Sequence, residues 1–129
     1  MKLQPDQMDV QAVTAYEQDW IAINGEKHFD SLLISSEGQK ELLGTLKPEN
    51  LTALHLEKLI QLKTIGIELV ILGSGQKLKF MPKQWALAFK HAQLGFETMD
   101  TPAACRTYNI LAGEGRKVAA LLLIEPKSL

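Results

Sequence analysis

Met99-Asp100-Thr101-Pro102-Ala103-Ala104-Cys105-Arg106-Thr107-Tyr108-Asn109-Ile110-Leu111 holds the end of a strand, the start of a helix and a cluster of polar side chains. Thr101-Pro102 reads as an N-cap followed by proline at the first helical position, where the missing N–H removes no hydrogen bond. The helix runs to Ala112, and Gly113 and Gly115 stand where they can close it. Cys105, Arg106, Thr107, Tyr108 and Asn109 follow in succession, so polar groups surround this helix. An ordinary packing helix confines them to one face. The segment positions something, but its residues spell out no reaction.

The flanking sequence supplies the rest of an alternating pattern. Residues 67–72 form a nearly continuous apolar strand, as expected where both faces are covered. Gly73-Ser74-Gly75 follows it as a turn, and a short extended piece over 78–80 comes next. Pro82 opens a helix with Trp85, Phe89 and Ala92 on one stripe, and Gly95 ends it. Residues 96–99 form a strand, 101–112 the quoted helix and 117–124 a final buried strand, closed by Pro126. The three strands are expected to share one sheet, with helices on both faces.

Before residue 67 the pattern is first β and then helical. Val10, Ala12 and Val13 begin a strand, and Trp20, Ile21 and Ile23 form the next. Asn24-Gly25 is a hairpin signal, because both positions tolerate positive φ. Residues 27–34 would return, with Phe29, Leu32, Leu33 and Ile34 on the buried side, and 35–38 break the strand. Residues 44–50 form a loop. Asn50 or Thr52 caps a helix bearing Leu51, Leu54, Leu59 and Leu62 at helical spacing. The expected class is therefore α/β: a single domain over 10–129, a mixed sheet flanked by helices, an N-terminal β-hairpin, and a loose arm over 1–9.

Together, the sequence from Gly66 through Leu-Gly-Ser-Gly at 72–75 and the quoted segment resemble one known family. This is the small α/β domain family of unknown function, the Mth938-like domains, which includes a mitochondrial complex I assembly factor and a human adipogenesis-associated protein. The order of parts matches over most of the chain, with a departure at Met81-Pro82, where relatives tend to carry a proline pair. The resemblance implies the fold. It implies little chemistry, because no catalytic residue is established for the family as a whole.

Composition narrows the classes of function. At 129 residues with 46% hydrophobic and 22% charged residues, the chain suits one globular domain. A formal net charge of −1 gives no bulk attraction to nucleic acid or an anionic membrane. The charge is unevenly spread, however. Residues 1–68 hold 6 Lys/Arg against 11 acids, and 69–129 hold 8 against 4. Between Glu68 and Glu97 there is no acid, only Lys77, Lys79, Lys83, Lys90 and His91, so this stretch is either a solvated basic face or a docking surface for an acidic partner. The lone cysteine excludes an internal disulfide and suits a reducing compartment. The start of the chain lacks signal- or transit-peptide character, the longest apolar run (118–124) is too short to span a membrane, and Lys127-Ser128-Leu129 has the wrong order for a peroxisomal address. The expected location is cytoplasmic.

Each candidate for chemistry has a plain structural reading beside it. Gly73-Ser74-Gly75 sits where phosphate-binding turns occur, but it lacks the third glycine of a dinucleotide fingerprint and the Lys-Ser/Thr of a Walker loop. A tight turn explains it. Asp100 and Thr101 either cap the helix or join Ser74 and the 103–105 amides in an anion-binding crevice, with Arg106 nearby. Cys105, near a helix N-terminus, is either an activated thiol or a small core residue. Tyr108 and Asn109 either bond to the sheet edge or line the cleft. His28, His55 and His91 lack metal-ligand spacing, so no metal and no cofactor is expected. Trp20, Trp85 and Phe89 read as core aromatics.

With no complete catalytic set, an interaction or assembly-type domain that docks to proteins is expected rather than an enzyme. The competing reading is a small-molecule or anion-binding protein, an enzyme included, that uses the Ser74/Asp100/Arg106 crevice. An open edge at the N-terminal hairpin leaves a homodimer as a further expectation.

Overall fold

A computed structural model describes residues 1–3 and 10–126 of the chain. The strands are β1 (Val13–Tyr16), β2 (Ile21–Ile23), β3 (Glu26–His28), β4 (Leu32–Ser35), β5 (Lys40–Leu42), β6 (Leu69–Gly73), β7 (Gly95–Met99) and β8 (Val118–Leu122). The helices are α1 (Ala53–Gln61), α2 (Lys83–Ala92) and α3 (Thr101–Gly113), with 3-10 turns at Pro48–Asn50 and Leu62–Ile65.

Strands β1-β2-β3 form a small antiparallel sheet, and the large sheet has the order β5-β4-β8-β6-β7. In the large sheet β6 runs parallel to β7 and β8, whereas β4 runs antiparallel to β5 and β8. The three strands expected to share one sheet do so, with β6 between the other two. The continuous apolar runs have a simple cause. Val118, Ala120, Leu122, Ile71, Leu32 and Ile34 face a core closed by α3 and the small sheet. Their neighbours Ala119, Leu121, Val70, Leu72 and Leu33 face a second core, packed with Leu59, Trp85 and Phe89. Alternate residues thus bury on opposite faces, which keeps both parities of the central strands apolar.

Several expectations need correction. The expected N-terminal hairpin is present and forms the separate small sheet with β1, and β4 makes the large sheet mixed. Residues 27–34 are accordingly not one strand. The chain leaves the small sheet after His28 and enters the large one at Ser31, whose N–H donates to Gly44 O at 2.7 Å. Phe29 lies on this crossover and is 60% exposed. Strand β5 pairs with β4 through Leu32↔Leu42 and went unread in the sequence, since its apolar content is slight. Leu54 is 76% exposed, so the buried stripe of α1 is carried by Leu59 and continues at Leu62. Residues 78–80 form no strand. Helix α2 ends at Gln93, which takes a left-handed conformation, and Gly95 opens β7 instead. Trp20 is only half-buried, with Lys27 Nζ 4.2 Å from its ring centre.

Other local readings hold. Asn24 and Gly25 have φ of 49° and 88°, so the hairpin turn is built as expected. At α1 the Thr52 N–H donates to His55 Nδ1 at 2.9 Å. Residues 1–3, expected as part of a loose arm, instead lie along β1, where Leu3 N–H donates to Thr14 O and Tyr16 N–H to Met1 O, both at 2.9 Å. The rest of the arm (4–9) and the Lys127-Ser128-Leu129 ending lie outside the described residues. Among the described residues no helix is long and apolar enough to cross a membrane.

Candidate functional site

The carboxyl ends of β6 and β7 meet the first turn of α3, and Thr101 joins them. Its hydroxyl accepts from Gly75 N–H at 2.9 Å and donates to Leu123 O at 2.5 Å, while Thr101 N–H donates to Gly75 O at 2.7 Å. The residue is buried. Asp100, rather than Thr101, is the N-cap: its Oδ1 accepts from Ala103 N–H at 2.8 Å. Thr101 becomes the first helical residue, and its hydroxyl is free to bind the sheet.

The glycines of the turn have separate reasons. A Cβ on Gly73 would sit 3.0 Å from both Ala104 Cβ and Thr101 Cα, so the helix approaches closely only because that atom is missing. Gly75 has φ of 109°, a conformation that L side chains rarely adopt. Ser74 is buried between them; its Oγ donates to Lys77 O at 2.8 Å and accepts from Lys79 N–H at 2.9 Å. The structure thus brings Gly73, Ser74, Gly75, Asp100 and Thr101 together. Their polar groups are taken up in joining loop, sheet and helix.

The remaining candidates turn toward the small sheet. Asn109 accepts from Val13 N–H at 2.9 Å and donates to Val13 O at 2.7 Å, so its carboxamide stands in for one unit of a neighbouring strand. Tyr108 OH donates to Gln11 O at 2.6 Å, and Arg106 donates to Tyr16 OH at 2.7 Å. Three side chains on one helix thereby hold the residues at and before β1. Of the two roles open to Tyr108 and Asn109, both take the sheet-edge one.

Cys105 is fully buried in the α3-side core. Burial pushes its thiol up from 9.0 to about 12, and the nearby Arg106 offsets only part of this. The Tyr108 hydroxyl is likewise raised by burial. Burial thus opposes the activation that a helix N-terminus gives a thiol. Both groups favour the folded state while they are protonated. The Cys105 contribution is complete below pH 9.0 and is lost as the pH rises through about 12. Cys105→Ala is expected to cost about 1 kcal/mol near neutral pH and to make the alkaline limb of the stability curve less steep, as read by denaturant melts. A thiol reagent is expected to label the folded wild type slowly at neutral pH. Rapid labelling without unfolding would overturn this.

A pocket of about 250 Å³ opens beside the turn, and sequence reasoning found only part of it. Ser74 and Gly75 line it together with Lys47, Lys79 and Glu125. Glu125 Oε1 accepts from Gln76 N–H at 3.2 Å. Lys47 and Glu125 come from distant segments that a motif search around 73–75 does not reach. Arg106, Cys105, Tyr108 and Asn109 are not among its lining residues.

A fold of two such sheets clasped by one polar helix defines a small mixed α/β domain, and comparison with known proteins gives its kin. The chain belongs to the family of proteins of unknown function DUF498/DUF598, whose profile matches residues 13–123. The rat NADH dehydrogenase (ubiquinone) 1 alpha subcomplex assembly factor 3 is 38% identical over 60 residues, which are 46% of this chain and 32% of that protein. The match spans about a third of the length of that relative. The Xenopus tropicalis factor of the same name is 24% identical over 127 residues, 98% of this chain and 67% of its own. A crystal structure of a Bordetella parapertussis protein has a TM-score of 0.81 at 30% identity, covering 94% of this chain and 100% of its own. The solution structure of a Bordetella pertussis Mth938-like domain also has a TM-score of 0.81, at 27% identity, covering 100% and 96%. The resemblance read from the sequence, to a small-domain family that includes an assembly factor, therefore holds.

Proposed function

We propose that this protein is a non-catalytic docking domain of the assembly-factor type, working in the cytoplasm through protein partners. The observation that carries this reading is the employment of the polar signature. Asp100, Thr101, Arg106, Tyr108 and Asn109 each bond to the protein's own backbone or side chains. These bonds give the polar run a structural use, which supports a docking domain over an enzyme. The similarity to NADH dehydrogenase assembly factors supports the same class of work, although partners do not transfer on fold alone.

The test is affinity capture of the tagged full chain after mild crosslinking in cells of its source organism. One partner recovered in roughly equimolar amount and absent from a tag-only control is expected. Recovery of none would overturn the reading.

A second reading is a site for a small anion in the pocket beside Ser74, where Lys47 and Lys79 would hold it and Glu49 and Glu125, which line the same pocket, would oppose it. Calorimetric titration with inorganic phosphate and with small carboxylates distinguishes the two. Saturable binding that Lys79→Ala removes would favour the anion site.

A further inference from the structure

Strand β7 is an edge of the large sheet, and its ladder to β6 determines which of its backbone groups are unpaired. Gly95 N–H donates to Glu68 O at 3.0 Å, and Met99 O accepts from Ser74 N–H at 2.9 Å. In a parallel strand the N–H and C=O of one residue point to the same side, and successive residues alternate. Phe96 and Thr98 therefore turn both backbone groups away from β6. Among the described residues no other strand pairs with this edge.

A groove runs along the edge, lined by Phe80, Met81, Pro82 and Ala86 on one side and by residues 96–98 on the other. On its apolar side Phe80 is 76% exposed, and Leu87, on the adjoining face of α2, is 57% exposed. Lys83, Ala86, Leu87 and Lys90 fall on one stripe of α2 by their three- and four-residue spacing, so two exposed lysines flank the apolar wall. Glu97 shares strand parity with Met99, which packs in the α3-side core, so its side chain leaves from the opposite face of the sheet. Glu97 is the charged residue of the groove's lining, and Lys83 and Lys90 stand next to the groove on the exposed stripe of α2.

We propose that this edge takes an extended, acidic segment of a partner protein as an added strand. Its apolar side chains lie against Phe80 and Ala86, its carboxylates meet Lys83 and Lys90, and its backbone pairs with Phe96 and Thr98. The inference rests on the docking reading above and gives that docking a place and a chemistry. A second copy of the chain fits less well. Antiparallel β7–β7 pairing would set α2 beside α2, with the lysine-bearing stripes opposed as like charges.

The probe is a phage-displayed library of random peptides of about 12 residues, selected on the full chain. Selected peptides are expected to carry apolar residues and Asp or Glu at every second position, all on the face that meets α2, and to slow amide exchange at Phe96 and Thr98. Each should bind at least about tenfold more weakly to Phe80→Ser and to Thr98→Pro. Both variants should keep the fold, since Phe80 is exposed and the Thr98 N–H faces away from β6. Circular dichroism checks this. Peptides without acidic residues, undiminished binding to either variant, or no selected peptide would overturn the proposal. So would a dimer in sedimentation velocity that Thr98→Pro abolishes, because it would give the edge to a second copy. If both variants still capture the cellular partner, the docking reading stands and this assignment of the edge falls. If the wild type captures no partner, the docking reading itself falls.

Discussion

Thr101→Val should destabilise the protein by about 2–4 kcal/mol although it keeps the shape of the side chain. Valine leaves Gly75 N–H and Leu123 O without their partner in a site closed to water. An unpaired buried polar group carries its full desolvation cost, and here there are two. Asp100→Ala removes a helix cap at a half-buried position and should cost only about 1 kcal/mol. The contrast discriminates between roles, since a capping threonine and a threonine that staples loop to sheet predict opposite orders for the two variants. Urea melts of both measure it. A Thr101→Val loss no larger than that of Asp100→Ala would show that the Gly75 and Leu123 contacts contribute little.

Asn109→Ala should cost about 2–3 kcal/mol, and the damage should be local. The carboxamide satisfies both backbone groups of Val13, which is itself fully buried. Without it β1 loses one of its ties to α3, although Arg106 still holds Tyr16 and Tyr108 still holds Gln11 O. Amide exchange should accelerate through β1 and β2 while β6 and β8 keep their protection. A uniform rise across both sheets would mean that the small sheet unfolds only with the whole molecule. A loss below about 0.5 kcal/mol would mean that water replaces the amide at no penalty.

How much of this was legible follows from which interactions are local. The runs at 67–72 and 117–124 read correctly because burial on both faces leaves a signature within each segment. The Asn24-Gly25 turn read correctly because positive φ is a property of the residues themselves. The separation of the small sheet from the large one did not show, because it depends on where the chain crosses after His28 and not on any breaker residue. Strand β5 escaped because an edge strand of three residues, only one of them apolar, has no period to detect. In the candidate site, the convergence of 73–75 with 100–101 was visible from strand ends alone. The direction of Arg106, Tyr108 and Asn109 was not, because their partners lie 90 to 97 residues away. The polar run that looked like chemistry is largely the means by which α3 holds the small sheet.

The position of β8 bears on how the molecule is made. It is the last strand in the sequence, yet it lies between β4 and β6 in the sheet. During synthesis the β4–β5 hairpin and the β6–β7 pair leave the ribosome as two half-sheets, each with an unsatisfied inner edge. Neither can complete its ladder until residues 118–122 arrive between them. The nascent chain therefore presents first the inner edge of the β4–β5 hairpin and, once β7 has been made, that of the β6–β7 pair as well, and a holding chaperone or an early-binding client would meet these edges before the fold closes.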